Sequence, residues 1–255
     1  MPPLRKALLG WGVVLSVLLV GGFWFGSLVR DARRAAQASC AQCPLNQLTL
    51  AFHNYHEVYG SFPPAYVADA NGRPRHSWRA LILPYVDAKD VYQQYDFSEP
   101  WDGPNNSRLA NRMTTVFHSC TEPESKTFTT FVAITGPGTI FPGAGCTKLS
   151  EITDGPQNTI LLVEIKDSKI PWLAPIDLSA DEAVSAWQNP ERSGISCVSW
   201  RRPLVVFCDR LTGYSLGRTL PPESLRALTT IQGGETISQY ELIEKNQIYR
   251  GAKRE

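Results

Sequence analysis

Hydrophobic and polar positions follow three rhythms along this chain. From Ala7 to Val29, ALLGWGVVLSVLLVGGFWFGSLV, no charged residue occurs. As a helix, a run of that length crosses a hydrocarbon core of about 30 Å. Trp11, Phe23, Trp24 and Phe25 stand toward its ends, where interfacial aromatics collect. Arg5 and Lys6 precede it, and Arg30, Asp31, Arg33 and Arg34 follow it. A cleaved signal peptide would have a shorter apolar core and a small-residue cleavage site. Here the run ends in bulky aromatics, and the one small-residue stretch, Ala35-Ala36-Gln37-Ala38, lies beyond the arginines. The pattern predicts an uncleaved transmembrane helix over 7–29 behind a short flank, 1–6.

The second rhythm is helical and amphipathic. Arg30 to Gln42 is rich in Arg, Ala and Gln, all good helix formers. Pro44 interrupts it, which predicts a kink near Cys40 to Cys43 or a helix that stops and restarts at Pro44. Leu45, Leu48, Phe52, Tyr55 and Tyr59 then recur at steps of three and four, an apolar stripe that needs cover. Gly60 with Pro63 and Pro64 supplies the stop.

Beyond residue 65 the elements are short. His76 to Val86 and Lys89 to Tyr95 read as brief helices, and Asn106 to Thr114 resumes a helical pattern after the turn Glu99-Pro100-Trp101-Asp102-Gly103-Pro104. From residue 127 the third rhythm is that of strands: Thr127 to Thr135, Thr159 to Ile165, and Leu204 to Cys208 with Gly213 to Arg218 as its hairpin partner. Pro221 to Thr230 reads as a short helix, and the charged tail 241–255 is expected to fray. Helices first and strands afterwards predict an α+β fold: a long N-terminal helix, transmembrane then soluble, packed on an antiparallel sheet. The domain spans 30–240.

Charge adds an exclusion. Twenty-five Lys and Arg against 24 Asp and Glu leave a net charge of +1, so nothing electrostatic points to nucleic acid. Basic residues flank both ends of the apolar run, so they do not set its orientation. The six cysteines, Cys40, Cys43, Cys120, Cys146, Cys197 and Cys208, are an even set and suit disulfides in an oxidising compartment. That favours a location in the cell membrane with the bulk of the chain outside the cytoplasm.

Candidate chemistry is sparse. Cys40-x2-Cys43 followed by His53-x2-His56 has the residue types of a zinc site. On a helix opening at Pro44, however, His53 lies more than a turn from Cys43, so structural cysteines and histidines beside the packed stripe are the better reading. Asp96, Glu99 and Asp102 cluster at a turn and could offer oxygens to calcium, but a solvated turn is commoner. Gly136 to Gly145 lacks the phosphate-loop pattern and reads as a surface loop. Cys197 and Cys208 flank the approach to a strand and could be bridged across a hairpin. No cofactor and no metal site is expected.

Several ordered stretches together resemble one family. They are Cys43 with Leu48, Ala51 and Phe52 leading into His53-Asn54-Tyr55-His56; Tyr59-Gly60-Ser61-Phe62-Pro63-Pro64; His76-Ser77-Trp78-Arg79; Glu99-Pro100-Trp101-Asp102-Gly103-Pro104-Asn105; Gly136-Pro137-Gly138-Thr139; and Pro175 to Leu178. The chain resembles the mostly planctomycete, prepilin-like family catalogued as a domain of unknown function, number 1559. The resemblance implies a hydrophobic N-terminal helix continuing into an exported, type IV pilin- or pseudopilin-like domain, with no known enzymatic activity. The prepilin processing signal, a Phe at the junction and a Glu in the apolar run, is replaced here by Ala7-Leu8-Leu9 and an uncharged segment. The expected function is that of a non-enzymatic, membrane-anchored structural or interaction protein. Its partners would be membrane lipid and other pilin-like subunits or secretion-type machinery. The alternatives are an extracytoplasmic peptide- or glycan-binding module around Trp101 and Phe141, and a divergent hydrolase using His53, His56 and Asp102.

Overall fold

The computed structural model describes residues 3–120, 125–189, 194–197, 202–209, 213–235 and 237–251, with the side chains of 3–19, 38, 41 and 188 left out of that description. Helix α1 runs Pro3–Tyr59 with Pro44 inside it, so the helix neither stops nor restarts where the proline predicted a break. Pro44 has no N–H to give to the carbonyl of Cys40, and the ladder lacks one rung there. The chain divides into two units, Met1–Ala38 and Ser39–Glu255. In the first, Val20, Phe23, Trp24, Phe25 and Leu28 are all exposed. Among the described residues no helix is long and apolar enough to cross a membrane. Of the uncharged run 7–29, the side chains of 7–19 lie outside the described residues.

In the second unit, the stripe on α1 is the centre of one core cluster. Leu45, Leu48, Ala51 and Phe52 are fully buried, and Phe52 meets the rings of Trp78 at 4.9 Å and Phe141 at 5.6 Å. The stripe ends earlier than its periodicity indicated: Tyr55 is half-buried, and Tyr59 is exposed and leans on Tyr55. Gly60, at φ +75°, donates its N–H to the carbonyl of His56 and ends the helix in the left-handed conformation that glycine adopts freely.

Among the described residues the main sheet has six strands. In chain order they are β4 (Phe131–Thr135), β5 (Ile160–Glu164), β7 (Leu178–Ser179), β8 (Leu204–Phe207), β9 (Tyr214–Leu216) and β10 (Ile248–Arg250). Their spatial order is β10-β9-β8-β5-β4-β7, antiparallel throughout except for the parallel β4–β7 pair. Two small antiparallel pairs accompany it: β1 (Tyr66–Ala68) with β2 (Pro74–Ser77), and β3 (Phe128–Thr129) with β6 (Ile170–Pro171). The stretch 127–135 is thus two strands in two sheets, parted at Thr130, whose N–H donates to the carbonyl of Phe117.

Alternation along the strands splits the core in two. Phe131, Ala133, Leu204 and Val206 join the α1 cluster, while Val132, Ile134, Val205 and Phe207 join a second cluster with Tyr214, Leu225 and Leu228. β5 breaks the rule. Its pairing with β8 shifts between Ile160 and Leu162, so Leu161 and Leu162 both join the α1 cluster, while Ile160 and Val163 join the other. The second cluster is covered by α4 (Ala180–Gln188), α5 (Pro222–Ala227) and α6 (Gln239–Glu244). The tail 241–255 does not fray where it is described, because α6 and β10 occupy it and β10 pairs with β9 through Ile248 and Leu216.

One buried ion pair ties these parts together. His76 and Ser77 end β2, and Ser77 then caps α2 (Trp78–Leu81), its Oγ accepting from the Arg79 N–H. The Arg79 guanidinium is fully buried and lies over the Trp78 ring, 4.4 Å from its centroid. It donates to the Asp177 carboxylate at 2.8 Å and to the Phe131 carbonyl at 3.0 Å. Asp177 also accepts from the Trp78 indole N–H at 3.0 Å and the Ala133 N–H at 2.9 Å. Burial pushes the Asp177 carboxyl up and the Arg79 guanidinium down, and each partner's charge opposes the shift of the other.

A second tie is covalent. A disulfide joins Cys40 on α1 to Cys120, with Cα atoms 6.3 Å apart and 80 residues between them in sequence.

Removing one member of the ion pair leaves an uncompensated charge in the core. Arg79→Met is expected to lower stability by about 3–5 kcal/mol in urea denaturation. Arg79→Met with Asp177→Leu is expected to cost clearly less than the two single changes summed, since the second removes the orphaned carboxylate. Equal additivity would show that the two side chains do not act as a pair. Cys120→Ser opens a long loop and is expected to cost about 2–4 kcal/mol, measured in the same way without reductant.

Candidate functional site

A pronounced cleft lies beside the disulfide. One wall is the α1 turn carrying Cys40, Cys43, Pro44 and Gln47. The other is the chain from Asn111 to Thr115 together with His118, Cys120, Ser125 and Lys126. Steps of three and four put Cys40, Cys43 and Gln47 on one helix face, and the cleft holds about 640 Å³. The opposite wall follows from 3-10 turns at Asn106–Arg112 and Thr115–Phe117, which deliver His118 in an extended conformation. His118, Ser125 and Lys126 also border a neighbouring hollow of about 440 Å³ that reaches Phe128 and Asp167 to Lys169.

The cysteines have separated fates. Cys40 and Cys120 are bonded, Cys43 and Cys146 are exposed thiols, Cys208 is a buried thiol, and Cys197 is buried. Burial, followed by the nearby Asp209, pushes the Cys208 thiol well up, so it is a poor nucleophile. Cys146 lies near Tyr55, whose hydroxyl is pushed up to about 12, chiefly by burial.

The residues considered for catalysis have separate settings. His53 is buried with its ring against Phe62 at 5.6 Å. His56 accepts the Leu149 N–H through Nε2 at 3.2 Å and borders a shallow hollow with Gly60, Lys148 and Ser150. Asp102 belongs to the turn after Trp101, far from both histidines in sequence. Cys40 is committed to Cys120, which removes it from any site with the histidines. Among the described residues no three His, Cys, Asp or Glu side chains come together to hold a metal ion.

The acidic turn is a self-contained plug. Glu99 accepts from the backbone N–H groups of Asn105 and Asn106 at 2.7 and 2.6 Å. The fully buried Asn106 amide donates to the carbonyls of Asp96 and Pro100 and accepts from the Asp96 N–H. A Cβ at Gly103 would stand 2.6 Å from the Glu99 carboxyl carbon, which accounts for the glycine there. Glu99 thereby holds the turn, and Asp96 Oδ1 accepts from the Ser98 N–H.

The glycine-rich loop is only partly superficial. Ile140 and Phe141 are buried, and Phe141 bridges to Thr135 at the end of β4. Phe141 therefore packs against α1 and offers no face to a peptide or glycan, while Trp101 is half-buried against the same core. Two features that sequence reasoning missed had local signals. Ser179-x-x-Glu182 is a reciprocal capping box at the start of α4. Asp69, whose Oδ1 accepts from the Asn71 and Arg73 N–H groups, builds the turn between β1 and β2.

No curated protein and no solved structure matches this chain. Residues 30–145 match the family described as "Protein of unknown function (DUF1559)". That span includes the soluble part of α1, the Ser77-Trp78-Arg79 cap, the Glu99 turn and both cysteines of the disulfide. Over that span the chain matches the domain of unknown function 1559 family, in line with its ordered motifs.

Proposed function

We propose that this chain is a pilin-like, non-enzymatic structural or interaction protein. A single N-terminal helix anchors it in the cell membrane, and the folded unit lies outside the cytoplasm. The observation that carries the reading is the uncharged run 7–29 within α1, whose described part leaves Phe23, Trp24 and Phe25 exposed at 72, 70 and 68 %. A row of exposed aromatics beside an arginine cluster suits the interface of a bilayer. Membrane lipid is the partner of that segment, and other pilin-like subunits or secretion-type machinery are the partners of the assembled protein.

Two further features support the reading. The Cys40–Cys120 disulfide suits an oxidising compartment. A long helix whose later turns enter the core of a mostly antiparallel sheet is the arrangement expected of a pilin-like domain.

The exposed thiols supply the test. A membrane-impermeant maleimide applied to intact cells is expected to label Cys146 and Cys43, while Cys208 reacts only after denaturation. The protein should also remain in the membrane fraction after alkaline carbonate extraction. Labelling that appears only after lysis, or release by carbonate, would overturn the assignment.

A further inference from the structure

The cleft beside the disulfide holds three cysteines, of which only two are bonded. Cys43 lies three residues beyond Cys40 on the same helix, and residues so spaced have Cβ atoms about 5–6 Å apart. A disulfide needs about 3.5–4.5 Å between Cβ atoms, so the turn must tighten slightly for the two to bond. Pro44 makes that turn easier to tighten, because its missing N–H leaves the carbonyl of Cys40 without the usual helical hydrogen bond. Cys43 is exposed and borders the same open cleft as both bonded sulfurs. Cys43 is an exposed thiol, in contrast to the buried Cys208.

We propose that this cleft is a thiol–disulfide exchange site in which Cys43 is the attacking thiol. Cys43 loses its proton to solvent, and its thiolate attacks Cys40 Sγ. A Cys40–Cys43 bond forms as the Cys40–Cys120 bond breaks. The electron pair leaves on Cys120 Sγ, which then takes a proton. No net oxidation or reduction occurs, so no external oxidant is required. The exchange moves the accessible thiol from the helix to Cys120 and unfastens that segment from α1. The thiol at Cys120 then stands in a cleft large enough to admit a small thiol or a cysteine-bearing peptide for mixed-disulfide formation.

Trypsin distinguishes the two forms. The native bond joins peptide 35–75 to peptide 113–126, whereas the exchanged bond closes a loop inside 35–75 and leaves 113–126 free. The full-length oxidised protein, never treated with reductant, is held at about pH 8, near the ordinary thiol pKa. It is then quenched with N-ethylmaleimide and mapped by mass spectrometry. Alkylated Cys120 is expected in the native sequence, reduced about tenfold or more in Cys43→Ala, which alters only an exposed side chain. Cys120→Ser provides the complement: mild oxidation is expected to yield the loop-closed 35–75 peptide. The proposal fails if Cys120 stays unmodified in the native sequence. It fails equally if Cys43→Ala leaves its alkylation unchanged, or if Cys120→Ser leaves Cys40 and Cys43 as two separate thiols.

Discussion

A charged pair in the core sets the terms for the rest of the folded unit. Arg79 and Asp177 are brought together across 98 residues of sequence, and neither keeps a hydrated face. Taking two charges from water costs several kcal/mol per ion, and the loss is recovered only where geometry and further hydrogen bonds are good. Here the further bonds go to backbone and indole groups: the Phe131 carbonyl, the Ala133 N–H and the Trp78 N–H. The pair thereby fixes the entry of α2, the inner strand β4 and the chain leading into β7 relative to one another. β7 pairs with β4 in parallel directly after Asp177, so the ion pair sits at the start of that parallel seam.

Much of this architecture was legible because it follows from periodicity. The stripe Leu45, Leu48, Phe52 and the apolar strands β5 and β8 are strong local patterns, and each appears where its rhythm placed it. The parts that were not legible are those in which local preference loses to tertiary contact. Pro44 stays within a helix although its own chemistry disfavours that position. Tyr59 continues the stripe in sequence but lies where the domain no longer covers the helix. The short strands β7, β9 and β10 have too few residues to show a period, and β10 exists because it has an edge of β9 to pair with. Both members of the ion pair stood in quoted motifs, Arg79 in His76-Ser77-Trp78-Arg79 and Asp177 in Pro175 to Leu178, but nothing local to either marked them as partners.

The candidate site shows the same division. The six cysteines could be counted but not paired, because Cys40 bonds to a distant residue while its helical neighbour Cys43 stays reduced. The histidines that suggested metal or acid–base chemistry turn out to serve packing and a backbone hydrogen bond. What the sequence could not show at all is the cleft. Its two walls come from a helix and from a run of 3-10 turns about 70 residues apart, a span closed by the disulfide.

The irregularity in β5 bears on how this fold can vary in length. Two residues, Leu161 and Leu162, stand opposite Val206, while Ile160 and Val163 keep their places opposite Phe207 and Val205. Loss of one of those leucines would leave a regular strand with Ile160 and Val163 still on their own face. Loss of one residue elsewhere in β5 or within β8 would turn the following side chains to the wrong side of the sheet. Single-codon deletions in the central strands should therefore survive selection at the bulge and almost nowhere else in them, giving the lineage one place where the sheet can shorten without being rebuilt.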